Sequence, residues 1–169
     1  RQMCIRDSWY TEQHIRESGM AWTFLRDSFY LDFFPGMVDE HGVMRGPAGN
    51  GRVGAVARQD VARSAVAVLR DPSPHAERTY DMTGPEALSL TDMARIIGEA
   101  QGREVTYREE TVEEAYASRA HYGAPAWQVD AWVSTYTAIA SGELDVVSDS
   151  VRALTGRSAM SMADLLGQG

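Results

Sequence analysis

The chain has 169 residues, of which 44% are hydrophobic and 24% are charged, a composition typical of one globular domain with a real core. Its formal net charge of -8 and pI near 4.9 argue against binding of nucleic acid or an anionic membrane through overall electrostatics. A single cysteine, Cys4, excludes an internal disulfide and a cysteine-based zinc site, and the four histidines show no metal-ligand spacing. No apolar run approaches the roughly 18 residues of a membrane span. We therefore expect a cytoplasmic protein with no metal, no nucleic-acid partner and no membrane partner.

The chain opens with RQMCIRDS, which fits neither a helix period nor a strand period. We interpret residues 1–8 as a non-native leader and exclude them from the fold. Residues 11–18 are polar, tolerate a helix and end before Gly19, a residue type that closes helices in the left-handed conformation. The sequence predicts a helix there.

Residues 21–25 form a short apolar run that predicts a buried strand. Polar residues follow at 26–28, and a cluster of aromatic residues follows at Phe29, Tyr30, Phe33 and Phe34. Open α/β sheets bind their ligands at the carboxyl ends of their strands. This segment is therefore the candidate ligand-binding edge.

Residues 35–51 contain two prolines and five glycines without a sustained period, which predicts a mobile connection. The segment could be a substrate lid, although a simple turn is the favoured interpretation. The glycines at 46, 49 and 51 suggest a phosphate-binding loop, but such loops open a helix, whereas this one leads into a strand-like run at 52–56. We reject the phosphate-loop interpretation.

Asp60 is a suitable N-cap for a helix that Asp71 and Pro72 would stop, with an apolar face formed by Val61, Ala65, Val68 and Leu69. Residues 78–82 predict another strand. Together with the run at 52–56, they would make a right-handed βαβ unit.

Two capping boxes predict helices that begin after Ser89 and after Thr111, with a small extended segment at 104–107 between them. Residues 125–141 have the clearest amphipathic pattern in the chain, with Trp132 on the apolar stripe. We expect Trp132 to be buried and to pack toward the aromatic cluster after Arg26. Short helices are expected near 149–154 and 161–166.

The runs TEQHIRESGMAWTFLRDSFY, ARQDVARSAVAVLRDP and RTYDMTGPEALSLTDMARIIGEAQGREV resemble the C-terminal half of NmrA-like proteins. These are atypical short-chain dehydrogenase/reductases that bind NAD(P)H, and some reduce quinones. The resemblance extends from about Trp9 to Leu166. It implies an α/β fold: the C-terminal part of a Rossmann-like doubly wound parallel sheet at residues 9–88, and a mostly helical substrate-side region at residues 89–169.

In that family the Gly-rich turn that binds the pyrophosphate lies on a first strand well upstream, so we expect this chain to be a fragment. The strand near Trp22 would then be central in the parent protein and would lack a neighbour here. Its open edge predicts self-association.

The resemblance implies an NAD(P)H-dependent oxidoreductase that passes hydride to a quinone-like or other small carbonyl acceptor. Arg26, Ser28 and Phe29 would contact the cofactor. The acceptor, a small molecule, would contact the aromatic side chains Tyr30, Phe33, Phe34 and Trp132. Alternatively, these aromatics only close the core, or the protein is a non-catalytic sensor of NAD(P)H.

No catalytic residue is assigned. Tyr10 and His14 have the spacing of the Tyr-x-x-x-Lys pair of classical reductases, but the family's Thr-Glu pair aligns with Thr11 and Glu12. That alignment places the equivalent of the lysine at Ser8, inside the suspected leader.

Overall fold

The computed structural model describes residues 3–167. Its α-helices are α1 (Met3–Glu17), α2 (Arg58–Arg70), α3 (Leu90–Gln101), α4 (Val112–Arg119), α5 (Ala126–Ala140), α6 (Ser150–Thr155) and α7 (Met162–Leu166). Its strands are β1 (Thr23–Asp27), β2 (Val43–Gly46), β3 (Arg52–Val53), β4 (Arg78–Met82), β5 (Leu88–Ser89) and β6 (Thr106–Glu109). The predicted α/β class with parallel strands is confirmed.

The first helix is longer than predicted. It begins at Met3 rather than near Thr11, so residues 3–8 are helical. That residues 1–8 are a non-native leader stays a prediction. It ends at Glu17, and Gly19 follows with a φ of 74°. Residues 1 and 2 of the suspected leader lie outside the described residues.

Strands β1 and β4 pair in parallel, with Thr23 opposite Arg78 and Asp27 opposite Met82. The predicted βαβ unit is therefore wrong in one strand: β4 pairs with β1, whereas β3 pairs antiparallel with β5. Helix α2 lies in the connection between β1 and β4 and contacts β1. In the part of the chain that the structure describes, no strand pairs with the other edge of β1. Self-association through that edge stays a prediction.

The segment predicted as a mobile connection is ordered and partly buried. It contains a 3₁₀ helix at Leu31–Met37 and β2, which pairs in parallel with β6. Met44 and Ala48 are fully buried in the main core. The segment is therefore part of the core rather than a mobile connection, and a role as a substrate lid stays a prediction.

Asp60 does not cap α2. The helix begins at Arg58, and its first amide donates to Oδ2 of Asp32 over 2.9 Å. Asp60 is fully buried within the first turn, where its Oδ2 accepts a 2.7 Å bond from the amide of Met160 and its other oxygen pairs with Arg63. Of the predicted apolar face, Val68 is buried, whereas Leu69 is 77% exposed.

Both predicted capping boxes are confirmed. Ser89 and Asp92 cap α3, Thr111 and Glu114 cap α4, and α3 closes at Gly102 with a φ of 63°. Helix α5 begins immediately after Pro125. Its buried face joins the main core, which it shares with α3, β2 and the 3₁₀ helix.

No helix in residues 3–167 is long and apolar enough to cross a membrane. Within the same range, no group of three or more histidine, cysteine or carboxylate side chains is arranged to hold a metal ion.

Candidate functional site

A cavity of about 820 Å³ lies between the segment that follows β1, strand β2, the end of α4 and helix α5. Its size is within the usual range of small-molecule sites, about 300 to 1,000 Å³. Most of its lining is apolar or aromatic, and a few polar side chains lie around it. The lining residues are Phe29, Phe34, Gly36, Met37, Val38, Asp39, Val43, Arg45, Ser118, Arg119, His121, Tyr122, Trp132, Thr135, Tyr136 and Ile139.

One wall of the cavity is the chain just beyond the carboxyl end of β1. Phe29 lies two residues after the strand, and its carbonyl accepts a 2.8 Å bond from the amide of Val56. Its ring lies 5.0 Å from that of Phe34, which is almost completely buried. These contacts hold two aromatic rings at the strand end, where parallel sheets bind ligands.

The opposite wall is helix α5. Trp132 is half-buried and lines the cavity, with its ring edge-on to Tyr122 at 5.8 Å. The prediction of a buried Trp132 is therefore wrong in degree, because its side chain lines the cavity and is only partly buried. Trp132 lines the same space as Phe29 and Phe34, two of the four residues of the aromatic cluster after Arg26.

Tyr136 lies deeper on the same helix and is 9% exposed. Its ring packs against the backbone of Gly46, where any Cβ would overlap the ring carbons. Its hydroxyl lies 3.8 Å from Sδ of Met37. Strand β2 and α5 therefore approach closely at the base of the cavity, with Tyr136 between them.

A buried ion pair supports this base. Nη1 of Arg119 lies 3.0 Å from Oε2 of Glu110, and its Nη2 donates to the carbonyl of Arg45 over 3.2 Å. The guanidinium carbon lies 5.0 Å from the ring centroid of Tyr136. Burial acts to lower the pKa of Arg119, but the interactions with Glu110 and Tyr136 outweigh it and raise that pKa above its ordinary value. Arg119 therefore remains charged beside Tyr136.

A second ion pair lies on the rim of the cavity. Nη2 of Arg45 is 3.3 Å from Oδ2 of Asp39. Hydrogen bonds from the amides of Val43 and His41 and from Arg45 hold the pKa of Asp39 below its ordinary value. Both arginines of the lining are therefore paired with carboxylates.

The other predicted site residues do not line this cavity. Arg26 makes two bonds to the carboxylate of Glu12, of 2.8 and 2.7 Å, which tie β1 to α1. The amide of Ser28 donates to the carbonyl of Met82, and the hydroxyl of Tyr30 donates to Oδ2 of Asp27 over 2.8 Å. Phe33 is 48% exposed. Their predicted contacts with cofactor or acceptor stay predictions.

Tyr10 and His14, which have the spacing of the catalytic pair of classical reductases, lie on α1. Tyr10 is 53% exposed and contacts the ring of Trp9 edge-on at 5.1 Å, and Ser8 is exposed. None of these side chains lines the cavity.

The start of α2 and the turn at Gly49 and Gly51 do not fit a pyrophosphate. The amide at the start of α2 already binds the carboxylate of Asp32, which would repel a phosphate. The turn at Gly49 and Gly51 leads into β3, and a Cβ on Gly51 would overlap the backbone of Ile139. Gly51 therefore allows the close packing of α5 against this turn.

Tyr136 and Arg119 are not singled out by the sequence as site residues. Tyr136 belongs to the apolar stripe of α5, a pattern more typical of core than of a ligand site. Arg119 ends α4 as an ordinary basic residue of a last turn. The sequence feature that could have identified Tyr136 is a tyrosine on a buried stripe, because a buried hydroxyl needs a hydrogen-bond partner.

No family model matches the chain. It is 34% identical over 156 residues to the NAD(P)H azoreductase of Xenophilus azovorans, an alignment that covers 90% of this chain and 54% of that protein. The crystal structure of the NADPH-dependent quinone oxidoreductase of Escherichia coli superposes with a TM-score of 0.86 at 26% identity, covering 96% of this chain and 60% of that one. The triphenylmethane reductase of Citrobacter, in complex with NADP(H), superposes with a TM-score of 0.84 at 30% identity, covering 94% of this chain and 56% of that one.

The chain spans about half the length of the curated relatives it matches. The parallel strands and these superpositions show that the chain shares the fold of the corresponding part of these reductases. The resemblance to NmrA-like, atypical short-chain dehydrogenase/reductases that the sequence motifs predicted is confirmed by these similarities.

Proposed function

We propose that this chain provides the acceptor pocket of an NAD(P)H-dependent reductase that acts on flat, electron-poor aromatic molecules such as quinones. The observation that supports the proposal most is the aromatic cavity beside the carboxyl end of β1. Phe29 and Phe34 form one wall of that cavity, and Trp132 and Tyr136 form the other.

The chemistry of the cavity matches the needs of hydride transfer to such an acceptor. Hydride transfer requires a dry, apolar slot that holds the acceptor against the nicotinamide, and it needs little acid chemistry when the acceptor is a quinone. Aromatic walls stack well on a flat ring system. The paired charges of the lining favour a neutral acceptor.

The cofactor of the whole protein would be NAD(P)H. In the proposal, Arg26, Ser28 and Phe29, at the end of β1, lie on its nicotinamide side, and Tyr30, Phe33, Phe34 and Trp132 lie toward the acceptor. Similarity to an NAD(P)H azoreductase and to an NADPH-dependent quinone oxidoreductase supports both the cofactor and the class of acceptor.

The test is NADPH oxidation by the intact protein with and without a naphthoquinone. We expect quinone-dependent oxidation, and we expect Phe29→Ala to lower kcat/KM while Trp127→Ala, on the exposed side of α5, leaves it unchanged. Tight binding of NADPH without quinone-dependent oxidation would instead identify a redox sensor and would overturn the reductase proposal.

A further inference from the structure

We propose that the hydroxyl of Tyr136 donates a hydrogen bond to a carbonyl oxygen of the bound acceptor, so that the cavity selects quinone-type carbonyl compounds over hydrocarbons of the same shape. This inference rests on the proposed function of the cavity and assigns its polar specificity to one residue.

The hydroxyl of Tyr136 lacks a strong acceptor. Its polar neighbours are the guanidinium of Arg119, which can only donate, and the thioether sulfur of Met37 at 3.8 Å, which is a weak acceptor. The residue is more than nine-tenths buried and lines the cavity. A buried hydroxyl gains free energy when a carbonyl oxygen replaces a weak partner, because an unsatisfied donor in an apolar site is costly.

Among the described lining residues, the other polar side chains already have partners or face solvent. Ser118 and Thr135 donate to carbonyls of their own helices, and Arg45 pairs with Asp39. His121 and Tyr122 are exposed. Tyr136 is therefore the lining donor best placed to recognise a buried ligand.

The position of the hydroxyl is fixed before a ligand arrives. The backbone of Gly46 supports the tyrosine ring from below, and the guanidinium of Arg119 lies beside it. Glu110 and the carbonyl of Arg45 hold that guanidinium in turn. The nearby positive charge polarises the phenol and strengthens it as a donor. A donor held in place loses little entropy when it binds an acceptor.

The experiment compares two matched ligands on the 169-residue chain by heteronuclear NMR titration. A dimethylnaphthoquinone carries two carbonyls and has no free position for addition to Cys4, and the corresponding dimethylnaphthalene has the same shape without carbonyls. We expect the quinone to bind about three- to tenfold more tightly, which is the effect of one hydrogen bond. In Tyr136→Phe the preference should disappear while the affinity for the hydrocarbon is kept.

Tyr107→Phe is the matched control. That hydroxyl donates to the carbonyl of Gly46 and accepts from the amide of Ala48, and it does not line the cavity. Removing it should lower stability and leave the preference for the quinone unchanged.

The carbonyl stretch of the bound quinone provides a second measurement that needs no variant. In the wild-type chain, difference infrared spectroscopy should show the band at lower wavenumber than in an apolar solvent, and an unshifted band would overturn the inference. A folded Tyr136→Phe that keeps the preference would overturn it as well and leave the proposed function standing. If neither ligand binds the wild-type chain, the cavity is not an acceptor pocket and both proposals are overturned.

Discussion

Tyr136 and Gly46 are in such close contact that the ring of one occupies the space where the other would carry a Cβ. This contact joins α5 to β2 at the base of the cavity. It requires glycine at position 46 for steric reasons, since Gly46 lies in an ordinary strand and has no positive φ. The shape of the cavity therefore depends on a residue that has no side chain.

Gly46→Ala should destabilise the protein by about 1 to 3 kcal/mol, because the added methyl group forces the ring or the strand to move. Urea denaturation measures the change. Gly36→Ala is the control: it lies on the same cavity, has open space around its Cβ position and has no positive φ. If the two variants are equally stable, the contact between Tyr136 and Gly46 is looser than described.

Two tryptophans of α5 offer a second comparison. Trp132→Ala should cost about 2 to 3 kcal/mol, less than the roughly 3 to 5 kcal/mol of a fully buried tryptophan, because the side chain is only partly buried. Trp127 is 62% exposed, so Trp127→Ala should change the free energy of unfolding by no more than about 0.5 kcal/mol. Equal losses in chemical denaturation would show that the register of α5 is wrong.

The features that the sequence predicted well depend on neighbouring residues. The capping boxes at Ser89 and Thr111 involve residues three positions apart, and the local pattern was sufficient to place both helix starts. Strand β4 was predicted with its observed bounds at 78–82. Each of these signals lies within a few residues of the structure that it specifies.

The features that the sequence missed depend on distant partners. Strand β2 forms because Val43–Gly46 pairs with Thr106–Glu109, some sixty positions later. No local hydrophobic pattern in the sequence predicts that pairing. Asp60 has the residue type of an N-cap, but the amide of Met160 is its partner. Phe29, Phe34 and Trp132 were predicted as site residues on separate grounds, and only the fold brings them to one cavity.

Two aspartates near the end of β1 should affect acid stability in opposite directions. Burial acts to raise the pKa of Asp32, but hydrogen bonds from the amide and side chain of Arg58 outweigh it and hold the pKa below 3.8. Its contribution to stability is therefore present above pH 3.8 and lost as the pH decreases through the lowered folded pKa. Asp32→Asn should reduce the loss of stability in acid, measured by urea denaturation at a series of pH values.

Burial raises the pKa of Asp27 above 3.8, and the hydrogen bond from Tyr30 offsets part of that effect. The contribution of Asp27 to the free energy of unfolding is present below pH 3.8. It is lost as the pH rises through the raised pKa of the folded state. Asp27→Asn should therefore gain stability relative to the wild type at neutral pH. The same denaturation series tests this sign, and a loss at neutral pH would contradict it.

The chain should bind dinucleotides weakly. The first amide of α2 already binds the carboxylate of Asp32, and the glycine-rich turn at 46–51 leads into a strand rather than a helix. Calorimetric titration with NADH and with NADPH is the measurement. Dissociation constants in the low micromolar range would show that the cofactor is held by residues other than those expected.

Trp132 can serve as a fluorescent reporter of ligand binding inside the cavity. A variant in which Trp9, Trp22 and Trp127 are replaced by phenylalanine leaves Trp132 as the one tryptophan of the chain. Because a quinone quenches indole fluorescence at close range, titration with the dimethylnaphthoquinone should quench Trp132 along a saturating curve, and Phe34→Ala, which alters the opposite wall, should shift the midpoint. Quenching that increases linearly without saturation, at the rate observed for free tryptophan, would contradict the assignment of this cavity as the acceptor site.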